Sequence, residues 1–320
     1  MLKPFLLRPA CKNYLWGGTN LKTLYGKKSD LVPLAETWEC SVHPDGPSIV
    51  DSGEYAGWTL AKYLENFPQA LGKHGRENGK LPISIKLIDA EKDLSIQVHA
   101  DKAFTRNHEQ LLGKTKMWYV LHADPGATLV YGFAHKVTPE LVRKAIAEDI
   151  LLTHLQTVPV HVGDVLLIEP GTIHAIGGGV LLVEVQENSN VTYPVYDYGR
   201  RSENGEPRPM HIEKALSVMN FDAASTVVRR QRIVQYTSGM ARELVARCRS
   251  FQVERLRMRV ACKVPCTDET FYTLLITSGT GSLQVGEHEL PVSMGETVFV
   301  PASKDTLLMK GDMEALLIRV

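Results

Sequence analysis

The stretch Val162-Gly163-Asp164-Val165-Leu166-Leu167-Ile168-Glu169-Pro170-Gly171 decides the fold, because the chain repeats its pattern near the C-terminus. The second copy is Met294-Gly295-Glu296-Thr297-Val298-Phe299-Val300-Pro301-Ala302. Each copy contains a Gly-acidic turn, an apolar run of strand length and a proline corner. Two copies of one β unit predict a mainly β protein built from two units of jelly-roll type.

Short apolar or alternating runs separated by turn residues make up most of the chain, and this pattern is typical of β-strands. Two segments have helical spacing instead. One is Thr59–Asn66, and the other is Thr138–Ile146, in which proline takes the first helical position. Threonine can cap both helices. We therefore expect a first domain over residues 1–230 with helical insertions, followed by a C-terminal jelly-roll-like domain over residues 231–320.

The composition argues against several classes of partner. The 320 residues contain 36 Lys and Arg against 36 Asp and Glu, so neither nucleic acid nor an acidic membrane is an expected partner. No apolar run has the length of a membrane span, and the N-terminal segment is too short and interrupted for a signal peptide. The five cysteines are odd in number and scattered, which favours a reduced, cytoplasmic enzyme.

The strand candidate Leu94-Ser95-Ile96-Gln97-Val98-His99 carries two polar side chains on one face. Because Gln97 and His99 are two residues apart, an amide oxygen and an imidazole point the same way. Such a pair is either half of a metal site or a hydrogen-bonded pair on a half-exposed strand. His174 follows the first proline corner and adds a third donor, and this donor set suits Zn²⁺ or a similar divalent ion. The second repeat has Ser303-Lys304-Asp305 at that place, so we expect the chemistry in the first domain.

Together with other motifs, these residues resemble the type I phosphomannose isomerases (mannose-6-phosphate isomerases) of the short bacterial kind. The resemblance covers about the first 200 residues in the family's order, and the second jelly-roll unit fits less specifically. The matching motifs are Trp16-Gly17-Gly18, Ala35-Glu36-Thr37-Trp38 with His43-Pro44, Lys86–His99, Gly113-Lys114-Thr115, Pro170–His174 and Asn188–Arg200.

The resemblance implies a cupin-like enzyme that binds one zinc ion per chain and interconverts mannose 6-phosphate and fructose 6-phosphate. It puts Gln97, His99 and His174 on metal-ligand positions. Four further residues fall on or near positions that hold the sugar phosphate: Lys86, Ser95, Lys114 and Arg200. A phosphate dianion needs such cationic and hydroxyl donors, because charge-assisted hydrogen bonds are the strong kind. Either lysine taken alone is equally an ordinary solvated side chain.

His43, in Ser41-Val42-His43-Pro44, is a candidate base for the proton transfer between C1 and C2 of the sugar. Imidazole titrates near neutral pH, which suits general base catalysis. The alternative is a structural histidine that fixes the following proline turn. The residues by themselves do not choose between these two interpretations.

The chain departs from the family at two positions. Lys116 stands where the family usually has a glutamate that binds zinc, and Pro194 stands where it usually has an arginine implicated in catalysis. The exchange of a carboxylate for an ammonium changes the local charge by two units. Either the metal is then held by fewer protein ligands, or another acid is recruited, and the candidates for that acid are Glu109, Glu184 and Glu187.

Two functions therefore follow from the sequence. The first is an active sugar-phosphate isomerase. The second is a weak or inactive homologue that binds a sugar phosphate for sensing or regulation. A metal-dependent oxygenase on the same scaffold is a distant third, because it leaves the phosphate-binding positions unexplained. The oligomeric state does not follow from the sequence.

Overall fold

The computed structural model describes residues 2–76, 79–100, 114–201, 205–225 and 233–320. The protein is mainly β with antiparallel sheets, which confirms the predicted fold class. Its strands are β1 (Phe5–Arg8), β2 (Ala10–Lys12), β3 (Glu36–Cys40), β4 (Ile49–Val50), β5 (Ile83–Ala90), β6 (Ile96–Val98), β7 (Lys116–Ala123), β8 (Thr128–Phe133), β9 (Leu155–Pro159), β10 (Val165–Ile168), β11 (His174–Ile176), β12 (Val180–Glu187), β13 (Tyr193–Tyr196), β14 (Val234–Thr237), β15 (Met240–Arg247), β16 (Gln252–Met258), β17 (Cys262–Pro265), β18 (Tyr272–Val285), β19 (His288–Ser293), β20 (Thr297–Val300) and β21 (Thr306–Arg319).

The helices are short and lie between strands, as the sequence predicts. They are α1 (Asn20–Thr23), α2 (Leu60–Asn66), α3 (Gly72–Arg76), α4 (Pro139–Ala147) and α5 (Ile212–Val218), with 3-10 turns at Pro68–Leu71 and Leu151–His154. Thr59 and Thr138 cap α2 and α4 by accepting hydrogen bonds from backbone N–H groups in the first turn. In the part of the chain that the structure describes, no helix has the length and apolar character needed to cross a membrane.

The chain divides into two compact units that interleave along the sequence. The first unit contains Met1–Asn13, Asn20–Leu87 and Arg230–Val320, and the second contains Tyr14–Thr19 and Ile88–Arg229. The division into domains at residues 230/231 stays a prediction. In the structure, the first unit contains two N-terminal segments, Met1–Asn13 and Asn20–Leu87, in addition to the C-terminal residues.

The first unit is built around a sheet with the strand order β14-β15-β16-β21-β18-β20-β1-β4, on which β17 and β19 add to β21 and β18. Aliphatic and sulfur-containing side chains of β15–β21 form its core. β2 and β3 pair in antiparallel register, and β3 is followed in the strand order by β5. The strand pairs given for this sheet are antiparallel, as expected for the C-terminal repeat.

The two copies of the repeated stretch adopt the same local structure. Gly163 and Gly295 both have φ of +88°, a conformation that favours glycine, and each leads into a four-residue strand, β10 or β20. The acidic residue after each glycine accepts a hydrogen bond from the backbone three residues before it. Asp164 Oδ2 lies 2.9 Å from the His161 nitrogen, and Glu296 Oε2 lies 2.7 Å from the Ser293 nitrogen. The internal repeat is confirmed.

A buried carboxylate stabilises the first unit. Glu39 has no exposed surface, forms an ion pair with Lys27 at 2.5 Å and accepts hydrogen bonds from the hydroxyls of Thr37 and Thr297. Glu39→Ala leaves the buried Lys27 ammonium without this carboxylate. Loss of one partner of a buried pair is strongly destabilising, so we expect a loss of about 3–5 kcal/mol in the free energy of unfolding.

Urea denaturation measures this loss. The control is Asp51→Ala, which removes an ion pair of Arg8 whose two side chains are about half exposed, and which should cost less than about 1 kcal/mol. Equal losses in the two variants would contradict a structural role for Glu39.

The second unit consists of two sheets with the strand orders β10-β7-β12 and β13-β6-β11-β8-β9. Strands β6, β11 and β13 supply alternate residues to one hydrophobic core, which also includes the apolar faces of α4 and α5. Because alternate side chains of a strand point to opposite faces, the intervening residues of these strands lie on the other face. That second face carries the predicted metal ligands.

Candidate functional site

Four residues form a row across the β13-β6-β11-β8 sheet. Gln97 pairs with His174 on one side and with Pro194 on the other, and His174 pairs with Tyr131. Directly opposite residues of antiparallel strands have side chains on the same face. The neighbours of these residues in sequence, such as Ile96 and Val98 around Gln97, enter the core on the reverse face. The register thus places Gln97 and His174 together, as the sequence predicts.

His99 and His174 are both buried, and their ring centroids are 4.9 Å apart. The predicted strand Leu94–His99 is shorter in the structure, so His99 lies just after the end of β6. In each ring Nδ1 lies within hydrogen-bond distance of a backbone carbonyl, that of Val191 at 3.0 Å for His99 and that of Thr172 at 2.8 Å for His174. Only a protonated Nδ1 can donate to a carbonyl, so each Nε2 carries a lone pair. Both Nε2 atoms are buried without a hydrogen-bond partner among the described residues.

Burial and nearby positive charge favour the neutral form of both imidazoles. Burial, followed by the positive charge of Lys116, lowers the pKa of His99 and of His174 well below the usual imidazole value. Lys114 adds to this effect on both rings, whereas the negative charge of Glu184 acts in the opposite direction on His174. A neutral imidazole with a bare nitrogen is the form that binds a metal ion.

The second sheet of this unit presents a charged and aromatic face. Register pairs Trp118 with Glu184 and Lys116 with Gln186, so these four side chains share one face of the β7–β12 ladder. The Trp118 ring is 5.4 Å from the His174 ring in an edge-on arrangement. The face that carries Lys116 and Glu184 therefore adjoins the histidine pair.

Lys116 and Glu184 form a buried ion pair. The Lys116 nitrogen is 3.0 Å from Glu184 Oε2, and both side chains are at most 5% exposed. The same carboxylate oxygen accepts a hydrogen bond of 2.8 Å from Trp118 Nε1. Of the three acids predicted to replace the missing ligand, Glu184 acts electrostatically on His174. Glu187 Oε2 accepts from the Thr115 backbone nitrogen at 2.9 Å, and Glu109 lies outside the described residues.

A metal ion would find two nitrogen donors in place and a third donor close by. Each histidine is oriented by a carbonyl on its other nitrogen, which is the usual arrangement of metal-bound histidines. Gln97 is partly buried in the same row, directly opposite His174, and an amide oxygen is a third donor of suitable type. No group of three or more His, Cys, Asp and Glu side chains converges among residues 2–76, 79–100, 114–201, 205–225 and 233–320. The residue types that fit a divalent ion here are therefore the two histidines, with Gln97 beside His174.

Ser95 contacts an arginine that the sequence analysis did not single out. Ser95 is buried, and its hydroxyl accepts a hydrogen bond of 2.6 Å from Arg208 Nη1. Arg200, which was predicted to hold the phosphate, instead donates to the Asp93 carbonyl at 2.6 Å and pairs with the Asp197 carboxylate. Arg208 Nη1 is 4.0 Å from the same Asp197 oxygen. The structure thus brings Ser95, Arg200 and Arg208 into one cationic cluster around Asp197.

His43 and Lys86 belong to the first unit. Lys86 is buried, with its nitrogen 3.5 Å from Glu36 Oε2 and 3.9 Å from the centre of the Trp38 ring, and Trp38 Nε1 also donates to Glu36. His43 Nδ1 accepts from the Asp45 backbone nitrogen at 3.1 Å, and its ring lies edge-on to Trp38 at 5.9 Å. Lys86 is therefore a desolvated cation rather than an ordinary solvated lysine.

The sequence analysis missed Arg208 and Trp118. A basic residue shortly before α5 gave no signal, because only the folded chain shows that it reaches Ser95. Trp118 had a usable signal, since it is two residues from Lys116 on the same strand and hence on the same face. Lys114 is buried and acts electrostatically on both histidines, and its contact with the phosphate stays a prediction.

Comparisons with known proteins identify the family of this chain. Residues 5–126 match the family model "Phosphomannose isomerase type I, catalytic domain". The mannose-6-phosphate isomerase of Streptococcus mutans is 30% identical over 99% of this chain and 98% of its own length. A putative mannose-6-phosphate isomerase of Bacillus subtilis is 31% identical over 96% of each chain.

Solved structures show the same fold. The crystal structure of the mannose 6-phosphate isomerase from Bacillus subtilis superimposes with a TM-score of 0.91 at 28% identity, covering all of both chains. A putative mannosephosphate isomerase from Archaeoglobus fulgidus has a TM-score of 0.79 at 23% identity. The chain therefore belongs to the type I phosphomannose isomerase family and is an enzyme of the isomerase class.

Proposed function

We propose that the protein interconverts mannose 6-phosphate and fructose 6-phosphate with one zinc ion per chain. The names of its full-length relatives support this substrate, and the histidine pair supports the metal. The observation that carries the proposal is that His99 and His174 are buried neighbours whose Nδ1 atoms lie within hydrogen-bond distance of backbone carbonyls and whose Nε2 atoms have no hydrogen-bond partner among the described residues. Imidazole nitrogens in this state suit a metal ion.

The protein's own residues would hold the metal and the substrate phosphate separately. His99, His174 and Gln97 would hold zinc, which as a Lewis acid supplies polarisation of the sugar oxygens. The phosphate would be held by the cluster of Ser95 and Arg208, since a dianion gains most from charge-assisted hydrogen bonds. Lys86, Lys114 and Arg200 remain proposed phosphate contacts.

Isomerisation of an aldose to a ketose moves a proton between C2 and C1, and this requires a base within hydrogen-bond reach. His43 remains our proposed base. Its Nδ1 accepts a hydrogen bond from the Asp45 backbone nitrogen, which orients the ring. Trp118 lines the histidine site and is 1% exposed, so it keeps water from the metal-binding nitrogens.

We place the enzyme in the cytoplasm. All five cysteines are free thiols, and burial raises the pKa of Cys40 to about 12 and that of Cys266 to about 11. Free, unreactive thiols are typical of proteins kept in a reducing compartment.

A second candidate function is a homologue that binds a sugar phosphate for sensing or regulation with little or no turnover. Two observations favour it. Lys116 stands on the site face where a carboxylate would serve a metal, and Pro194 occupies the row beside Gln97 without a charge or an N–H donor. Both positions lie at the site, so neither change disturbs the fold.

A coupled assay of isomerase turnover, combined with titration calorimetry of mannose 6-phosphate, separates the two functions. The protein is first dialysed against a buffer that contains zinc, and unphosphorylated mannose serves as the control substrate. Turnover of mannose 6-phosphate without turnover of mannose supports the isomerase. Binding without turnover supports the sensor, and absence of both turnover and binding would overturn both proposals.

The phosphate cluster leads to a separate prediction. Arg208→Ala removes the guanidinium that touches Ser95, so we expect KM for mannose 6-phosphate to rise about tenfold with a smaller change in kcat, as for loss of one hydrogen bond to a charged group. Steady-state kinetics measures this split. The matched control is Arg143→Ala, which removes an arginine of the same unit that pairs with Glu213 on the surface. A KM that is unchanged in Arg208→Ala would exclude it from the phosphate site.

A further inference from the structure

Lys116 is a buried lysine of the site that forms an ion pair with Glu184. Its side chain is 2% exposed, and its ammonium lies 3.0 Å from Glu184 Oε2. That oxygen also accepts the indole N–H of Trp118 at 2.8 Å, so one carboxylate oxygen is shared by two donors. The Glu184 carboxylate thereby interacts with both Lys116 and Trp118.

The pair lies next to the histidines. Trp118 contacts both the ion pair and His174, since its indole nitrogen reaches Glu184 and its ring lies 5.4 Å from the His174 ring. Among the charged groups of the described residues, Lys116 has the strongest effect on both His99 and His174, and Glu184 also acts on His174. The Lys116 ammonium therefore lies within electrostatic reach of both rings, and the Glu184 carboxylate within reach of His174.

A divalent cation at these nitrogens meets an unfavourable charge environment. Repulsion between like charges is strong where water is excluded, and Lys116 and Lys114 both contribute positive charge there. Zinc prefers four ligands, commonly including a carboxylate in a histidine site. Glu184 has the correct chemistry for this role, but the Lys116 ammonium competes with the metal for its oxygen.

We infer that Lys116 competes with the metal ion for the Glu184 carboxylate. Because Lys116 holds Glu184 in an ion pair, metal binding at His99 and His174 is weak and exchangeable. When the charge of Lys116 is removed, Glu184 becomes available as a further metal ligand. Lys116 thus sets the metal affinity of this chain without itself binding the metal. This inference rests on the metal ligands named in the proposed function.

Metal titration in the absence of substrate tests the inference. Lys116→Met removes the charge and keeps the length of the side chain, and Lys114→Met is the matched control that removes another buried lysine charge two residues away. Isothermal titration with Zn²⁺ should give a Kd at least tenfold lower for Lys116→Met than for the wild type. Lys114→Met should gain less than threefold, because its charge does not hold Glu184 in the ion pair described above.

The double variant Lys116→Met/Glu184→Gln separates relief of repulsion from release of a ligand. It should lose most of the gain seen in Lys116→Met, and titration with Co²⁺ should show a weaker ligand-field absorption than in the single variant, in line with one protein ligand fewer. Circular dichroism melts check that each variant is folded, and Lys116→Gln replaces Lys116→Met if the latter does not fold.

Three results would overturn the inference: an equal gain in Lys114→Met, no gain in Lys116→Met, or a gain that survives Glu184→Gln. These readouts need no turnover. A protein without isomerase activity whose Lys116→Met variant gains metal affinity would therefore count against the proposed function alone.

Discussion

His174→Ala is expected to make zinc binding undetectable and to reduce isomerase turnover to the background of the assay. His174 lies in the centre of the row across the sheet, and its bare Nε2 is one of the two nitrogen donors. Loss of a group that merely orients a metal ligand costs about 10- to 100-fold in affinity, so loss of the ligand itself should exceed about 100-fold. Loss of the imidazole also removes its edge-on contact with the Trp118 ring.

Titration calorimetry with Zn²⁺ measures the effect, and the Lys116→Met background provides a binding constant tight enough for a large loss to be quantified. His161→Ala is the control, because this histidine is 70% exposed, belongs to the same unit and lies in the turn before β10. Unchanged metal binding in His174→Ala would show that the histidine pair is not a metal site, whatever the activity of the protein.

Local features of this fold follow from the sequence because their causes are local. The threonine caps at Thr59 and Thr138 and the Gly-acidic turns at Gly163 and Gly295 each depend on a few adjacent residues, and all four form as predicted. The side chains of β6 also alternate as expected. The strand itself is shorter than predicted. It spans Ile96–Val98, and it pairs with β13 along this length and with β11 at Gln97.

Partners that are distant in sequence were not predictable in this way. The pairing of Lys116 with Glu184 depends on the register between β7 and β12, which no local pattern specifies. The contact of Arg208 with Ser95 and that of Arg200 with Asp197 depend on side-chain direction. Sequence reasoning identified Arg200 and the three candidate acids but not Arg208, because only the fold shows which of these side chains meet.

Pro194→Arg is expected to raise kcat for mannose 6-phosphate by about 100-fold if the protein is an isomerase, because a donor aimed at developing charge contributes about 10²–10³ in rate. Pro194 pairs with Gln97, so a side chain at this position extends over the face that carries the histidine pair. The strand tolerates the change. β13 is at the edge of its sheet, where the missing N–H of proline costs no ladder hydrogen bond and where arginine restores a donor.

Steady-state kinetics at saturating zinc measures this gain, and the sugar-phosphate KM shows whether the new guanidinium binds the ground state or the transition state. A rise in kcat at constant KM assigns the guanidinium to the reacting centre, whereas a fall in KM alone assigns it to the phosphate.

Pro159→Arg is the matched control, since Pro159 lies in β9 at the opposite edge of the same sheet and is exposed. If Pro194→Arg changes neither kcat nor KM, its guanidinium does not reach the charge that develops during isomerisation, and the absence of arginine at this position does not limit the rate. If kcat rises equally in both variants, the gain comes from the added charge of the protein and is unrelated to the row beside Gln97.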